Sequence, residues 1–167
     1  MCRLFMLGKD KIMYIEKYWD NYIGGSDDSM TLMELLAQKS EEEVSLKEIF
    51  EEIGLDRLSS FKSTEGGLTA TIDDMDVEFQ YAISVIADLA AIILECRENG
   101  KADLDELCDM EGTITLIAEK TEMELINSAL KDFVSAPDSF DIAEMMDEDE
   151  LSEMAEIFEE LRQELFE

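Results

Sequence analysis

A chain of 167 residues that is 46% hydrophobic is long enough for one self-sufficient core and too apolar to be disordered. Its 43 Asp and Glu face 13 Lys and Arg, a formal net charge of -30, and it has no histidine. That balance argues against direct contact with nucleic acid or an anionic membrane, which require Lys and Arg surfaces, and removes the commonest general base and most transition-metal sites.

Residues 1–12 are slightly basic, with Arg3, Lys9 and Lys11 against Asp10. They read as an N-terminal extension, disordered or preceding a natural start at Met13, and residues 13–167 read as one domain. The apolar run before Lys9 is too short for a secretory signal, and the cysteines Cys2, Cys96 and Cys108 show no CxxC spacing. Together these features predict reduced thiols and a cytoplasmic protein.

From Ile15 through Tyr18, Trp19, Tyr22 and Ile23, apolar residues recur at helical spacing and predict a helix ended by Gly24-Gly25. Its aromatic stripe suits a core, with Trp19 also a candidate interface anchor. The following turn, Ser26-Asp27-Asp28-Ser29, leads to a helix carrying Leu32, Met33, Leu35 and Leu36, with Thr31 and Glu34 as a capping box or Ser29 or Asp28 as the N-cap. A phosphate loop is the wrong reading of this turn, because two aspartates would repel the phosphate and no lysine follows. Ser45-Leu-Lys-Glu48 is a second capping box, flanked by Val44 and Ile49, with Gly54 as the helix stop.

Period-two alternation over residues 68–72 and 77–81 predicts a hairpin closed by the four-residue loop Asp73-Asp-Met-Asp76. Next comes the stretch that organises the chain, residues 81–96, in which only Ser84, Asp88 and Glu95 interrupt an otherwise apolar surface. A helix apolar all round is a buried helix, and sixteen interrupted residues fall short of the roughly 20 that a bilayer requires. After a turn at residues 98–101 and a short helix or irregular piece at 102–110, residues 113–118 read as a third strand. Thr121 with Glu124 opens a helix with core-spaced Leu125, Ile126, Ala129, Leu130 and Phe133, which Pro137 ends. The last thirty residues hold 13 acids and one base, Arg162, and predict a long amphipathic helix with a carboxylate-covered outer face.

Catalytic and metal chemistry finds little support. Ser128 and Lys131 fit an SxxK spacing without the partner motifs of that enzyme class. Neither Asp103 to Ile114 nor Asp147 to Phe158 places Gly at position six and Glu at position twelve of a calcium loop. No carboxylate pair stands out for glycoside chemistry. Neither a cofactor nor a metal is expected. Asp88 is the single acid placed where burial demands a partner or a proton, either as a structural acid or at the edge of a binding surface.

The run from Met13 to Leu32, then Val44-Ser-Leu-Lys-Glu-Ile-Phe50 and the central helix, resembles the small acidic immunity proteins of bacterial contact-dependent growth inhibition systems. The likeness extends from residue 13 to the end. It implies a non-enzymatic cytoplasmic partner that binds a delivered toxin domain in a 1:1 complex and covers its active site. The toxin it implies is a nuclease, a tRNA-cleaving RNase of the EndoU-like type borne by a CdiA-type effector. The resemblance carries over no binding residue.

Composition points the same way, because an acidic, catalytically empty protein is a suitable plug for the cationic surface of a nuclease. The expected fold is α+β, a mainly helical single domain with a small antiparallel three-stranded sheet around the buried central helix. Candidate partner-binding residues are Trp19, Asp27 and Asp28, the hairpin acids Asp73, Asp74 and Asp76, and Asp147, Glu148, Asp149 and Glu150. An acidic chaperone or assembly factor for some other basic protein is the alternative, followed by a carboxylate-dependent hydrolase.

Overall fold

The computed structural model describes residues 13–39, 43–58, 61–62, 68–108 and 110–166. The proposed extension at residues 1–12, with Cys2, lies outside them. Met13 and Ile15 are already buried. Tyr14–Lys17 makes one 3-10 turn, and Trp19–Asn21 (β1) and Ile23–Gly24 (β2) then form a minimal parallel pair. The helix expected from Ile15 to Ile23 is corrected. Of its stripe, Ile15, Tyr18, Trp19 and Ile23 are buried as their spacing implied and Tyr22 is half-buried, but aromatic and β-branched side chains are weak helix formers, and packing decides the path. Gly24 sets the exit, since its φ is +83° and a Cβ there would lie 2.4 Å from the Trp19 ring.

Asp27–Ala37 forms α1. Its N-cap is Ser26, not Thr31, Ser29 or Asp28: the Ser26 hydroxyl accepts from the Ser29 N–H at 3.1 Å and the Ser29 hydroxyl accepts from the Ser26 N–H at 3.2 Å. Glu43–Ser45 (β3) leads into α2, Leu46–Ile53, where Ser45 is the N-cap as expected but accepts from the Lys47 N–H instead of closing a box with Glu48, and Gly54 stops the helix in the left-handed region as expected.

Thr69–Ile72 (β4) and Met75–Glu78 (β5) pair in antiparallel fashion from Thr69 opposite Glu78 to Ile72 opposite Met75. The turn therefore has two residues, Asp73 and Asp74, at φ of 53° and 67°. Aspartate tolerates this region better than most residues, so pairing continues further towards the tip than the expected four-residue loop allows. Leu68, Ala70, Ile72 and Phe79 bury the inner side of the hairpin.

The central helix, α3, spans Ala82–Asn99, and every residue from Ala82 to Cys96 is buried. Within its polar stripe, Glu95 accepts from the Ile15 N–H at 3.1 Å and from the Asn99 amide at 2.7 Å. Ala102–Asp103 (β6), α4 at Leu104–Cys108 and β7 at Thr113–Ile117 follow. The third predicted strand does not join the hairpin. Instead β7 lies between β3, to which it is parallel, and β6, to which it is antiparallel, in a mixed three-stranded sheet, while β4 and β5 form a separate pair. The sequence hides this arrangement because β3 is three residues long and reads as the lead-in to a helix.

Lys120–Ser135 is α5, capped by a reciprocal Glu119–Glu122 box rather than Thr121–Glu124, and Pro137 begins a 3-10 turn just beyond its end. The expected amphipathic helix is α6, Glu148–Phe166, with Leu151, Met154, Phe158, Leu161 and Leu165 buried. Phe133 of α5 packs against Phe140 and Phe158 with ring centroids 5.1 and 5.0 Å apart. The result is a mainly helical α+β domain wrapped around α3. Among the described residues no helix is long and apolar enough to cross a membrane.

Candidate functional site

Two of the predicted contact residues point inward. Trp19 is 6% exposed and its indole N–H donates to the Leu107 carbonyl at 2.9 Å, which makes it a core residue of the β1 turn. Asp28 is 3% exposed and accepts from the Gln80 and Tyr81 N–H groups, both at 2.8 Å. Burial raises its pKa while those two N–H groups pull it back, and its work is to join α1 to the start of α3. Asp88 is likewise internal. Burial pushes it up to about 7, against hydrogen bonds from the Ser29 hydroxyl at 2.6 Å and the Gly24 N–H at 2.8 Å. It acts as a hydrogen-bonded structural acid.

The remaining predicted acids fall into two exposed groups. In the first, α1 and the hairpin are locked together by one side chain: the Gln38 amide donates to the Thr71 carbonyl at 3.3 Å and accepts from the Asp73 N–H at 3.2 Å. Asp27, Met30, Glu34 and Gln38 form the outer face of α1, and Asp73, Asp74, Met75 and Asp76 form the exposed tip beside it. Asp76 accepts from the Thr71 hydroxyl at 3.0 Å. Two large apolar side chains stand in this acidic field, Met30 at 54% and Met75 at 66% exposure. Composition did not single them out; the place of Met75 inside the predicted acidic loop was the available signal.

The second group opens α6. Asp147 and Glu150 cap each other reciprocally, with Asp147 N–H donating to the Glu150 carboxylate at 3.1 Å and Glu150 N–H to the Asp147 carboxylate at 2.8 Å. Glu148 and Asp149 occupy the first helical turn, where the helix dipole favours negative charge. Further along, Glu153 accepts from the Tyr22 hydroxyl at 2.7 Å, and that bond holds the tyrosine up to about 12. Asp147, Asp149, Glu150, Ser152, Glu153 and Glu156 line a shallow depression there.

The C-terminal end of α6 fastens the opposite end of the chain. Glu164 accepts from the Tyr14 hydroxyl, from Tyr18 at 2.6 Å and from Lys17 at 3.3 Å. Burial alone would raise its pKa, but those donors win and hold it at about 2. Arg97 caps the same helix end through the Leu165 and Glu164 carbonyls at 2.8 and 2.9 Å. On α5 the exposed outer side bears Lys120, Lys131 and Ser128.

Among the described residues no group of three or more acids or cysteines is placed to hold a metal ion. What the surface offers is carboxylates with exposed methionines among them, Met30 and Met75 beside the hairpin and Met145, 69% exposed, just ahead of α6, which is the chemistry of contact with another protein. Comparison with characterised proteins and with solved structures finds no significant match to this chain. The family described as Immunity protein 68 matches residues 14–165, nearly the whole of the chain, and on that match the chain belongs to the Immunity protein 68 family.

Proposed function

We propose that this protein neutralises a toxin with a basic active-site surface, a nuclease of the RNA-cleaving kind, by binding its folded domain one to one in the cytoplasm of the producing cell and covering the substrate cleft. The setting we infer is contact-dependent growth inhibition, in which the toxin arrives from a neighbouring cell. The observation that carries the reading is a net charge of -30 on a member of an immunity-protein family. A nuclease must present cations to its substrate, and a carboxylate coat meets the same cations. Complementary charge speeds encounter, with association rates approaching ~10⁸ M⁻¹s⁻¹ at low salt. Such speed suits a partner that arrives already active.

The test is to express the reading frame adjacent to this gene and measure whether its C-terminal domain has nuclease activity and associates with the immunity chain across a range of salt. The expected result is stoichiometric inhibition, with affinity falling as salt rises and the loss lying mainly in the association rate. Inhibition without any salt response would put shape and apolar contact ahead of charge. Equal binding to several unrelated basic proteins would favour an acidic chaperone instead.

A further inference from the structure

The β4–β5 hairpin is finished along one edge and open along the other. The Phe79 N–H donates to the Leu68 carbonyl at 2.9 Å, and the register continues to Ile72 opposite Met75. In the alternation of an antiparallel ladder, Met75, Val77 and Phe79 therefore turn their main-chain groups to β4, while Asp76 and Glu78 turn theirs away. On the β4 side the outward Thr71 carbonyl is taken by the Gln38 amide. On the β5 side Gln80, the next residue of the outward series, gives its N–H to Asp28 at 2.8 Å. Asp76 and Glu78 have no such partner: among the described residues nothing bonds their N–H or C=O groups, which leaves two unfilled rungs. The side chains show the same gap. On the core side of the hairpin Ala70 and Ile72 of β4 are buried, but Val77 of β5 is half-buried and Met75 is 66% exposed. Among the described strands β5 alone has no buried residue, and the edge strands β3 and β6 are shorter, at three and two residues.

Resting on the functional reading above, we propose that β5 is the edge to which the toxin domain adds a strand, and that the occupant is an extended basic segment of the toxin. Main-chain bonds to the open groups of Asp76 and Glu78 supply affinity, as in other cases of strand addition. Selectivity comes from the alternation of side chains. Asp76 and Glu78 share the outer face of the hairpin, where Asp76 accepts from the Thr71 hydroxyl at 3.0 Å, so an incoming strand meets carboxylates on that face and Val77 and Met75 on the other. A segment with Lys or Arg at alternate positions and apolar residues between them satisfies both. Charge also turns away the simplest rival occupant, a second copy of this chain. Pairing β5 with itself sets Asp76 and Glu78 against their own counterparts, and like charges directly opposite each other destabilise a sheet. The contact between Gln38 and the hairpin holds the edge in place before binding, which lowers the entropic cost of association.

The test is amide hydrogen exchange of the full chain, alone and in complex with the C-terminal domain of the protein encoded by the adjacent reading frame. In the free chain the Asp76 and Glu78 amides should exchange faster than that of Val77, which bonds β4, and in the complex both should slow about tenfold or more. Glu78→Pro removes one outward N–H without touching a bond to β4, a change that edge strands tolerate, and should weaken binding about tenfold, mainly through faster dissociation. Asp76→Asn/Glu78→Gln keeps every main-chain group and should instead slow association at low salt. Thermal unfolding of each variant separates a lost contact from a lost fold, and the exchange measurement on the unaltered chain decides the matter if Glu78→Pro does not fold. A complex in which the Asp76 and Glu78 amides exchange as they do in the free chain would overturn this edge while leaving neutralisation intact. Protection of both amides in the free chain, growing with dimers as concentration rises, would assign the edge to a second copy and overturn it likewise. Failure of any complex to form would overturn the functional reading and the edge together.

Discussion

The Asp88 carboxylate, inside the central helix, accepts a 2.6 Å hydrogen bond from the Ser29 hydroxyl, which is itself half of the capping box that starts α1. One buried acid therefore sets both the start of α1 and its position against α3. Its pKa is raised to about 7 by burial, while the unfolded chain titrates near the ordinary ~3.9. The protonated form favours the fold, so the stability it contributes is complete below about pH 4 and is lost as pH rises to about 7. Asp88→Asn keeps an acceptor for Gly24 and turns an amide N–H towards Ser29, whose hydroxyl then accepts instead of donating, without the ionisation. Relative to wild type it should gain stability steadily between about pH 4 and 7, at up to about 1.4 kcal/mol per pH unit. Urea unfolding at several pH values reads this directly, and parallel curves for the two proteins would refute it.

Asp28 carries the N-terminal end of α3 on two N–H bonds. Asp28→Ala strands both donors in a partly buried site and should cost about 2–4 kcal/mol. Because the side chain is internal, toxin association by whatever fraction stays folded should be unchanged. A normal melting temperature with a reduced association rate would contradict this assignment.

Gly24 lies under the Trp19 ring. Gly24→Ala combines a 2.4 Å approach to that ring with a φ of +83°, so the ring must leave its place. The expected loss is about 2–4 kcal/mol. Trp19 is the only tryptophan in the chain, so its fluorescence reports the displacement as a red shift even where the fold survives. An unshifted spectrum at native stability would show that the turn is softer than described.

Glu164 holds the segment from Tyr14 to Tyr18 against α6, and its pKa is depressed to about 2. A depressed carboxylate contributes stability that is present above its unfolded pKa and lost as pH falls through the folded value, a window from about pH 4.5 down to 2. Glu164→Gln should reduce stability at neutral pH by about 1 kcal/mol and remove the part of the acid sensitivity that falls in that window. Hydrogen exchange at Tyr18, whose N–H bonds the Ile15 carbonyl at 2.8 Å, should quicken if the clasp is what holds the turn. Unchanged exchange would place the restraint in the buried Ile15 instead.

Local pattern was enough to establish the central helix, the amphipathic C-terminal helix, the Ser45 cap with its Gly54 stop, and the acidic composition. Periodicity and composition belong to neighbouring residues, so they survive without knowledge of the fold. Tertiary structure alone decided which of two adjacent aspartates is buried: Asp28 meets N–H groups 52 and 53 positions away, while Asp27 faces outward. It also placed β3 beside β7 and turned Trp19 inward to the Leu107 carbonyl. Each of these outcomes depends on which distant backbone group comes within hydrogen-bonding reach, and a spacing along the chain carries no information about that.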